Sequence, residues 1–293
     1  MRKNNARVIG GLVLLVIFFA VLGLSIKKYD LEALLAKVSP NVVTVTVEVT
    51  VYPENPESNP AAEPETDPME ETPEPTPTVD PNSPEGRAAA MGLPAPPDID
   101  IESWEFLFAN GENSIAEYVP PELVVVGTNS QQFDTRIEEP LKAMADDAVA
   151  HGLSVFISSG YRSYSDQAAN FIRVCNNNGV ADGKDSRGFY ITMPAGCSEH
   201  QTGLAADITD HYYELKNSSI ENTETYQYLS QHCQEFGFIV RFPKDKEEVT
   251  GVMYEPFHFR YVGKEAAEYI MANGICLEEF ISLYKDINPV VME

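Results

Sequence analysis

Between Tyr52 and Gly86 the chain carries ten prolines and ten acidic residues, and not one lysine or arginine. Such a stretch cannot bury enough apolar surface to offset the entropy of ordering it. It therefore divides the chain, and whatever folds cooperatively must lie to one side of it. Like charges and polyproline II geometry extend it, at up to about 3.1 Å per residue. The resulting map is a membrane-directed tip at residues 1–28, a stalk at 29–51, an acidic linker at 52–100 and a folded domain at 101–293.

On the amino-terminal side, Arg2, Lys3 and Arg7 precede the run Val8–Ile26, which holds no charged residue. As a helix these residues rise roughly 28 Å, enough to cross the hydrocarbon core of a bilayer. The run is longer than a usual signal-peptide core and no A-x-A site follows it, so a retained anchor is expected. The basic residues before the run outweigh Lys27 and Lys28, which leaves the amino terminus in the cytoplasm and everything after Tyr29 outside. Asn41–Tyr52 then alternates valine with threonine or glutamate, the period of a half-buried strand.

The formal charge of -25 excludes nucleic acid as a partner, because no basic patch could offset the repulsion from phosphate. It also excludes a polybasic grip on anionic lipid. All four cysteines follow the apolar run, and an even count in an exported segment reads as disulfides. Cys175–Cys197 would close the insertion 176–196 and contribute about 3 kcal/mol on the chain-entropy model. Cys233–Cys276 would join two late helical segments, and the two other connectivities of four cysteines stay open.

Beyond the linker the hydrophobic rhythm changes repeatedly. Short strands are expected at 121–127, 153–157, 204–208 and 238–242. Helices are expected at 135–152, 166–176, 224–236, 265–273 and 277–284, the first of them stopped by Gly152. Helices and strands mix without regular βαβ alternation, which predicts an α+β domain with a small mixed or antiparallel sheet flanked by helices.

Two of the five histidines sit in polar, glycine-punctuated contexts: Ser198-Glu199-His200-Gln201-Thr202-Gly203-Leu204-Ala205-Ala206-Asp207, and Tyr254-Glu255-Pro256-Phe257-His258-Phe259-Arg260-Tyr261-Val262-Gly263. Two neutral imidazoles and one carboxylate make a normal shell for catalytic zinc, with the fourth position open. His200, Asp207 and His258 supply such a set. Glu255, held near His258 by Pro256-Phe257, is a spare carboxylate able to accept a proton from attacking water. From spacing alone, a lone histidine is more often a satisfied structural residue than a ligand, and Asp207 is equally suited to holding a turn. No H-E-x-x-H helix is present. His211 is a rival ligand, a Cys197 thiolate another, while His151 and His232 fit helix-end and surface roles.

These segments resemble S-x-H-x-x-G-x-A-x-D and E-P-W-H-x-R-Y-V-G, the paired signatures of the VanY-type D-alanyl-D-alanine carboxypeptidases. A third family segment, S-G-Y-R-S followed by a glutamine, stands here as Ser159-Gly160-Tyr161-Arg162-Ser163 and Gln167. The similarity runs from about Leu123 to Tyr284, with Phe257 in place of the usual tryptophan. The resemblance implies zinc on His200, Asp207 and His258, Glu255 as general base, and Arg162 facing the oxyanion. It implies substrate contacts from Ser198 and Gln167, and peptidoglycan stem peptides as substrate. D,D-carboxypeptidase activity is expected, with L,D-carboxypeptidase, endopeptidase and a silent wall-binding module as the competing readings. The protein is expected to act as a monomer tethered to the cytoplasmic membrane through residues 8–26, with its catalytic domain on the cell-wall side.

Overall fold

The computed structural model describes residues 79–116, 118–210 and 216–287. The expected membrane span, the stalk strand, the acidic segment to residue 78 and the rival ligand His211 lie outside the described residues. Among the described residues, no helix is long and apolar enough to cross a membrane.

The elements follow in the order helix α1 (Pro84–Ala90), strands β1 (Leu123–Val126) and β2 (Gln131–Asp134), helix α2 (Glu138–Ala150), β3 (Phe156–Ser159), α3 (Tyr164–Asn178) and β4 (Ala205–Thr209). Then come α4 (Glu224–His232), β5 (Phe238–Phe242), α5 (Glu247–Thr250), β6 (Glu255–Tyr261), α6 (Lys264–Asn273) and α7 (Leu277–Tyr284). This is the α+β class read from the sequence. Local chemistry fixes the ends. Ser163 caps α3 by accepting from the Asp166 backbone N–H, and Gly179 closes it at φ 67°, a left-handed turn that suits glycine. On α2, Leu141, Met144 and Ala148 recur at helical spacing and are fully buried.

β1 and β2 pair as a hairpin, and a four-stranded sheet runs in the order β3-β4-β6-β5 with every pair antiparallel. Helices cover both faces. One cluster packs Phe133, Ile137, Leu141, Met144, Leu204, Phe238 and Phe259 on the α2 side. The other packs Ile239, Val262, Ala266, Ile270, Phe280 and Ile281 on the α6–α7 side. β5 sends Phe238 and Val240 into the first and Ile239 into the second, which is why FIVRF reads as a continuous buried run. Each such large side chain contributes about 1.5–3 kcal/mol by leaving water.

Two irregularities aim the site. Ile157 pairs with Ile208, but Ser159 pairs with Asp207, so β3 carries one extra residue just before Gly160-Tyr161-Arg162. Val240 pairs with Phe259 while Phe242 pairs with Glu255, so β6 carries two extra residues around Pro256-Phe257-His258. Bulges of this kind redirect side chains beside active sites, and this one accommodates a proline in a central strand.

Packing begins before the expected boundary at residue 101. Arg87 donates to the Ser282 carbonyl (3.0 Å), Tyr269 to Pro94 and Tyr284 to Pro97 (both 2.7 Å). Leu93, Ile99 and Ile101 rest against the second cluster.

The disulfide expectation is corrected. All four cysteines are free and buried. Cys233 packs in the first cluster, where burial pushes its thiol up to about 12. Cys276 instead caps α7, accepting from the Glu279 backbone while Glu279 accepts from the Cys276 N–H (2.8 Å). Each of these two thiols already has a place in the packing, and protonated buried thiols are inert.

Candidate active site

The β4–β6 ladder sets Asp207 directly opposite His258. His200 comes from the short 3-10 turn Glu199–Thr202 that leads into β4 and ends at Gly203, whose φ of 73° is left-handed. His200 Nδ1 lies 2.7 Å from the Gly160 carbonyl, which makes it the donor and leaves Nε2 unprotonated. That free nitrogen stands 3.4 Å from Asp207 Oδ1, and His258 Nδ1 stands 3.2 Å from the same oxygen. Asp207 Oδ1 is buried, yet no donor reaches it in hydrogen-bonding geometry.

Two imidazole nitrogens and a carboxylate oxygen converging at this spacing describe a cation site. For tetrahedral zinc with bonds of roughly 2.0–2.1 Å, the ligand-to-ligand edge is about 3.3 Å. The observed 3.4 and 3.2 Å match that edge. His200, Asp207 and His258 form the one group of histidine, cysteine or carboxylate side chains able to hold a metal among the described residues.

Electrostatics point the same way. Burial pushes His200 down to about 4, so it stays a neutral ligand. Against burial, the Lys216 ammonium and His200 hold Asp207 well below the usual carboxylate range. Against burial again, Asp207 and Glu199 raise His258 to about 9, so without metal a proton sits where a cation belongs. Glu255 Oε2 is 3.5 Å from His258 Nδ1, and burial, reinforced by Asp207, pushes Glu255 up to about 7. A carboxylate poised near neutrality is what general-base work needs.

Arg162 follows the β3 bulge. Its backbone N–H donates to the His200 carbonyl (3.1 Å), and its guanidinium donates to Gln167 Oε1 and to Ser159 Oγ (3.2 Å). Gln167, fully buried on α3, also donates to the Met193 carbonyl. Ser198, buried, precedes the His200 turn. The seven residues singled out from the sequence thus line one cleft of about 250 Å³, together with Phe257. A larger hollow of about 680 Å³ beside Trp104 contains none of them, and donor chemistry rather than volume identifies the site. Cys197 also lines the cleft but is not grouped with the metal donors. His151 and His232 sit at the surface around Tyr228, away from it.

Two residues escaped the sequence reading. Lys216 puts its ammonium 2.6 Å from Asp207 Oδ2, tying down the oxygen turned away from the histidines. Glu199 lies 3.4 Å from His258 Nε2. Only Glu199 had a signal, its position beside His200 inside the motif.

Residues 130–264 match the family described as VanY, D-alanyl-D-alanine carboxypeptidase. A D-alanyl-D-alanine carboxypeptidase of Enterococcus faecalis is 36% identical over 192 residues, which cover 64% of this chain and 69% of that protein. The solved LdcB LD-carboxypeptidase superposes with a TM-score of 0.55 at 32% identity, covering 62% of this chain and 88% of that one. A vancomycin-resistance D,D-pentapeptidase VanY, solved in complex with Zn(II), gives a TM-score of 0.52 at 34% identity, covering 61% and 99%.

Proposed function

Because this chain belongs to the VanY family of D-alanyl-D-alanine carboxypeptidases, we propose that it removes the carboxy-terminal D-alanine from peptidoglycan stem peptides by zinc-dependent hydrolysis. The observation that carries this reading is the convergence of His200 Nε2, Asp207 Oδ1 and His258 Nδ1 beside a spare carboxylate, Glu255.

When held by those three side chains, zinc supplies Lewis acidity, polarising the scissile carbonyl and lowering the pKa of the attacking water. Glu255 takes the proton of that water as its oxygen adds to the carbonyl carbon. As the C–N bond breaks, Glu255 passes the proton to the departing D-alanine nitrogen. Arg162 faces the carbonyl oxygen as it gains charge, and Gln167 fixes the guanidinium in that direction. Gln167 and Ser198 line the cleft where the terminal residue must lie.

The domain works outside the cell, anchored by Val8–Ile26 and carried toward the wall by the acidic linker. The length of that run and the basic residues before it support this. Recovery of the full chain in the soluble fraction of lysed cells would contradict the anchor.

The activity is tested by incubating the zinc-loaded protein with defined stem pentapeptide and tetrapeptide and measuring released D-alanine. Release from the pentapeptide is expected. Release from the tetrapeptide alone would replace the D,D reading with an L,D one, and wall binding without release from either would replace the enzyme by a binding module.

A further inference from the structure

Beneath the metal donors lies a second layer of charge that the reaction does not touch. Arg241, Arg260, Glu199 and Glu278 are all at most 4% exposed. Arg241 Nε donates to Glu199 Oε1 (2.7 Å), and the rest of its guanidinium forks onto Glu278 (2.8 and 2.6 Å). Arg260 donates to the same Glu199 Oε1 (2.9 Å) and to the backbone carbonyls of Glu105 and Leu107 (both 2.8 Å). Glu199 Oε1 is therefore saturated by two guanidiniums. Glu199 Oε2 is left facing His258 Nε2 at 3.4 Å.

Burying four charges is poor economy for stability alone, since an apolar cluster of the same volume serves as well or better. The asymmetry of the two Glu199 oxygens gives the network a different use. We propose that Glu199 is a positioning residue for the zinc ligand His258, held in place by Arg241, Arg260 and Glu278. A carboxylate acceptor at Nε2 keeps the ring proton there and leaves Nδ1 as the lone pair turned to Asp207 Oδ1, 3.2 Å away. The ring is thereby fixed in tautomer and rotation. One short turn serves both histidines, because His200 is itself a donor and Glu199, the residue before it, orients the other. Arg260 sits two residues after His258 on β6, and Arg241 on β5 opposes the bulge, so the strands that position the ligand also position its support. Glu278 anchors the far end in the first turn of α7.

This inference rests on the zinc reading above, and its test reads metal affinity rather than D-alanine release, so failure of one is distinguishable from failure of the other. The full chain is stripped of metal and titrated with zinc against a chromophoric chelator, and with cobalt(II) for its ligand-field spectrum. Zinc binding by the wild type establishes the starting point. Glu199→Gln should raise the zinc dissociation constant by about 10–100-fold and shift the cobalt spectrum. Glu278→Gln removes the same charge from the far end of the network, separated from His258 by Arg241 and Glu199; it should lower the melting temperature and weaken zinc far less than Glu199→Gln does. Should Glu199→Gln fail to fold, Glu199→Asp carries the test. It keeps a carboxylate between the arginines, shortens the reach to His258, and should weaken zinc to a smaller extent. Wild-type zinc affinity in whichever Glu199 variant folds would overturn the proposal. So would an equal loss in Glu278→Gln, which would make the network a matter of fold alone.

Discussion

Replacing Gly160 by alanine places one methyl group at the junction on which the site depends. A Cβ built at Gly160 comes within 2.4 Å of the Gln132 carbonyl oxygen and 2.7 Å of the Phe133 ring. The first of these neighbours is backbone of β2 and the second is core, so neither can swing away as a flexible side-chain end would. Restoring ordinary contact requires a displacement of roughly 1 Å. Three hydrogen bonds resist it: Gly160 N–H to Gln131 Oε1 (3.0 Å), Tyr161 N–H to the Gln132 carbonyl (2.6 Å), and His200 Nδ1 to the Gly160 carbonyl (2.7 Å). Overpacking of this kind costs about 1–3 kcal/mol. For a domain of this size that lowers the melting temperature by about 2–12 °C. The catalytic loss should be larger than the stability loss suggests. Moving Gly160 moves Arg162, two residues on, and the carbonyl that sets the His200 tautomer. A misplacement near 1 Å costs on the order of 10²-fold in rate. Thermal denaturation and D-alanine release, measured on the same preparation at full zinc loading, check both halves. A Gly160→Ala protein with wild-type melting and wild-type turnover would refute the claim that this close approach fixes the site.

Arg162→Ala should slow turnover by about 10²-fold or more with zinc retained, and Arg162→Lys should rescue little, because a point charge cannot reproduce the fork held by Gln167 and Ser159; a lysine variant at wild-type rate would contradict the oxyanion role. Glu255 must be ionised to act as base, and burial raises it, so activity should be present above its pKa and lost as pH falls through it. Zinc beside it opposes the rise, which places the acid limb of kcat/KM between 4.5 and about 7; a profile flat to pH 4 would exclude Glu255. Reductant should leave the melting temperature unchanged and thiol titration of the unfolded chain should count four, since none of the cysteines is paired; a drop in melting temperature on reduction would restore a disulfide.

Legibility of the fold in the sequence followed the physics of each element. β5 and α7 stand at 238–242 and 277–284 as expected, because a continuous apolar run and a helical apolar stripe are local patterns. β6 was not read as a strand, since Pro256 argues against a central strand unless a bulge absorbs it, and bulges leave no periodic trace. β2 was missed because Gln131-Gln132-Phe133-Asp134 is short and polar. Among the site residues, His200, Asp207, Glu255 and His258 stand out by residue type and context, while Arg162, Ser198 and Gln167 take their roles from the family resemblance. Lys216 and the Glu199–Arg241 pair were not found, because burial and charge pairing across 42 residues are properties of the folded chain. The cysteine count misled for the same reason: pairing requires sulfur-to-sulfur geometry that an even number does not supply.

The most direct test of the account is the zinc-loaded Glu255→Gln protein assayed on stem pentapeptide. The amide is nearly isosteric and Glu255 is not among the three metal donors, so zinc content and peptide affinity should match the wild type. Proton removal from the attacking water should fail, and D-alanine release should fall by at least about 10²-fold. Release at the wild-type rate, with zinc in place, would make Glu255 structural and contradict the mechanism.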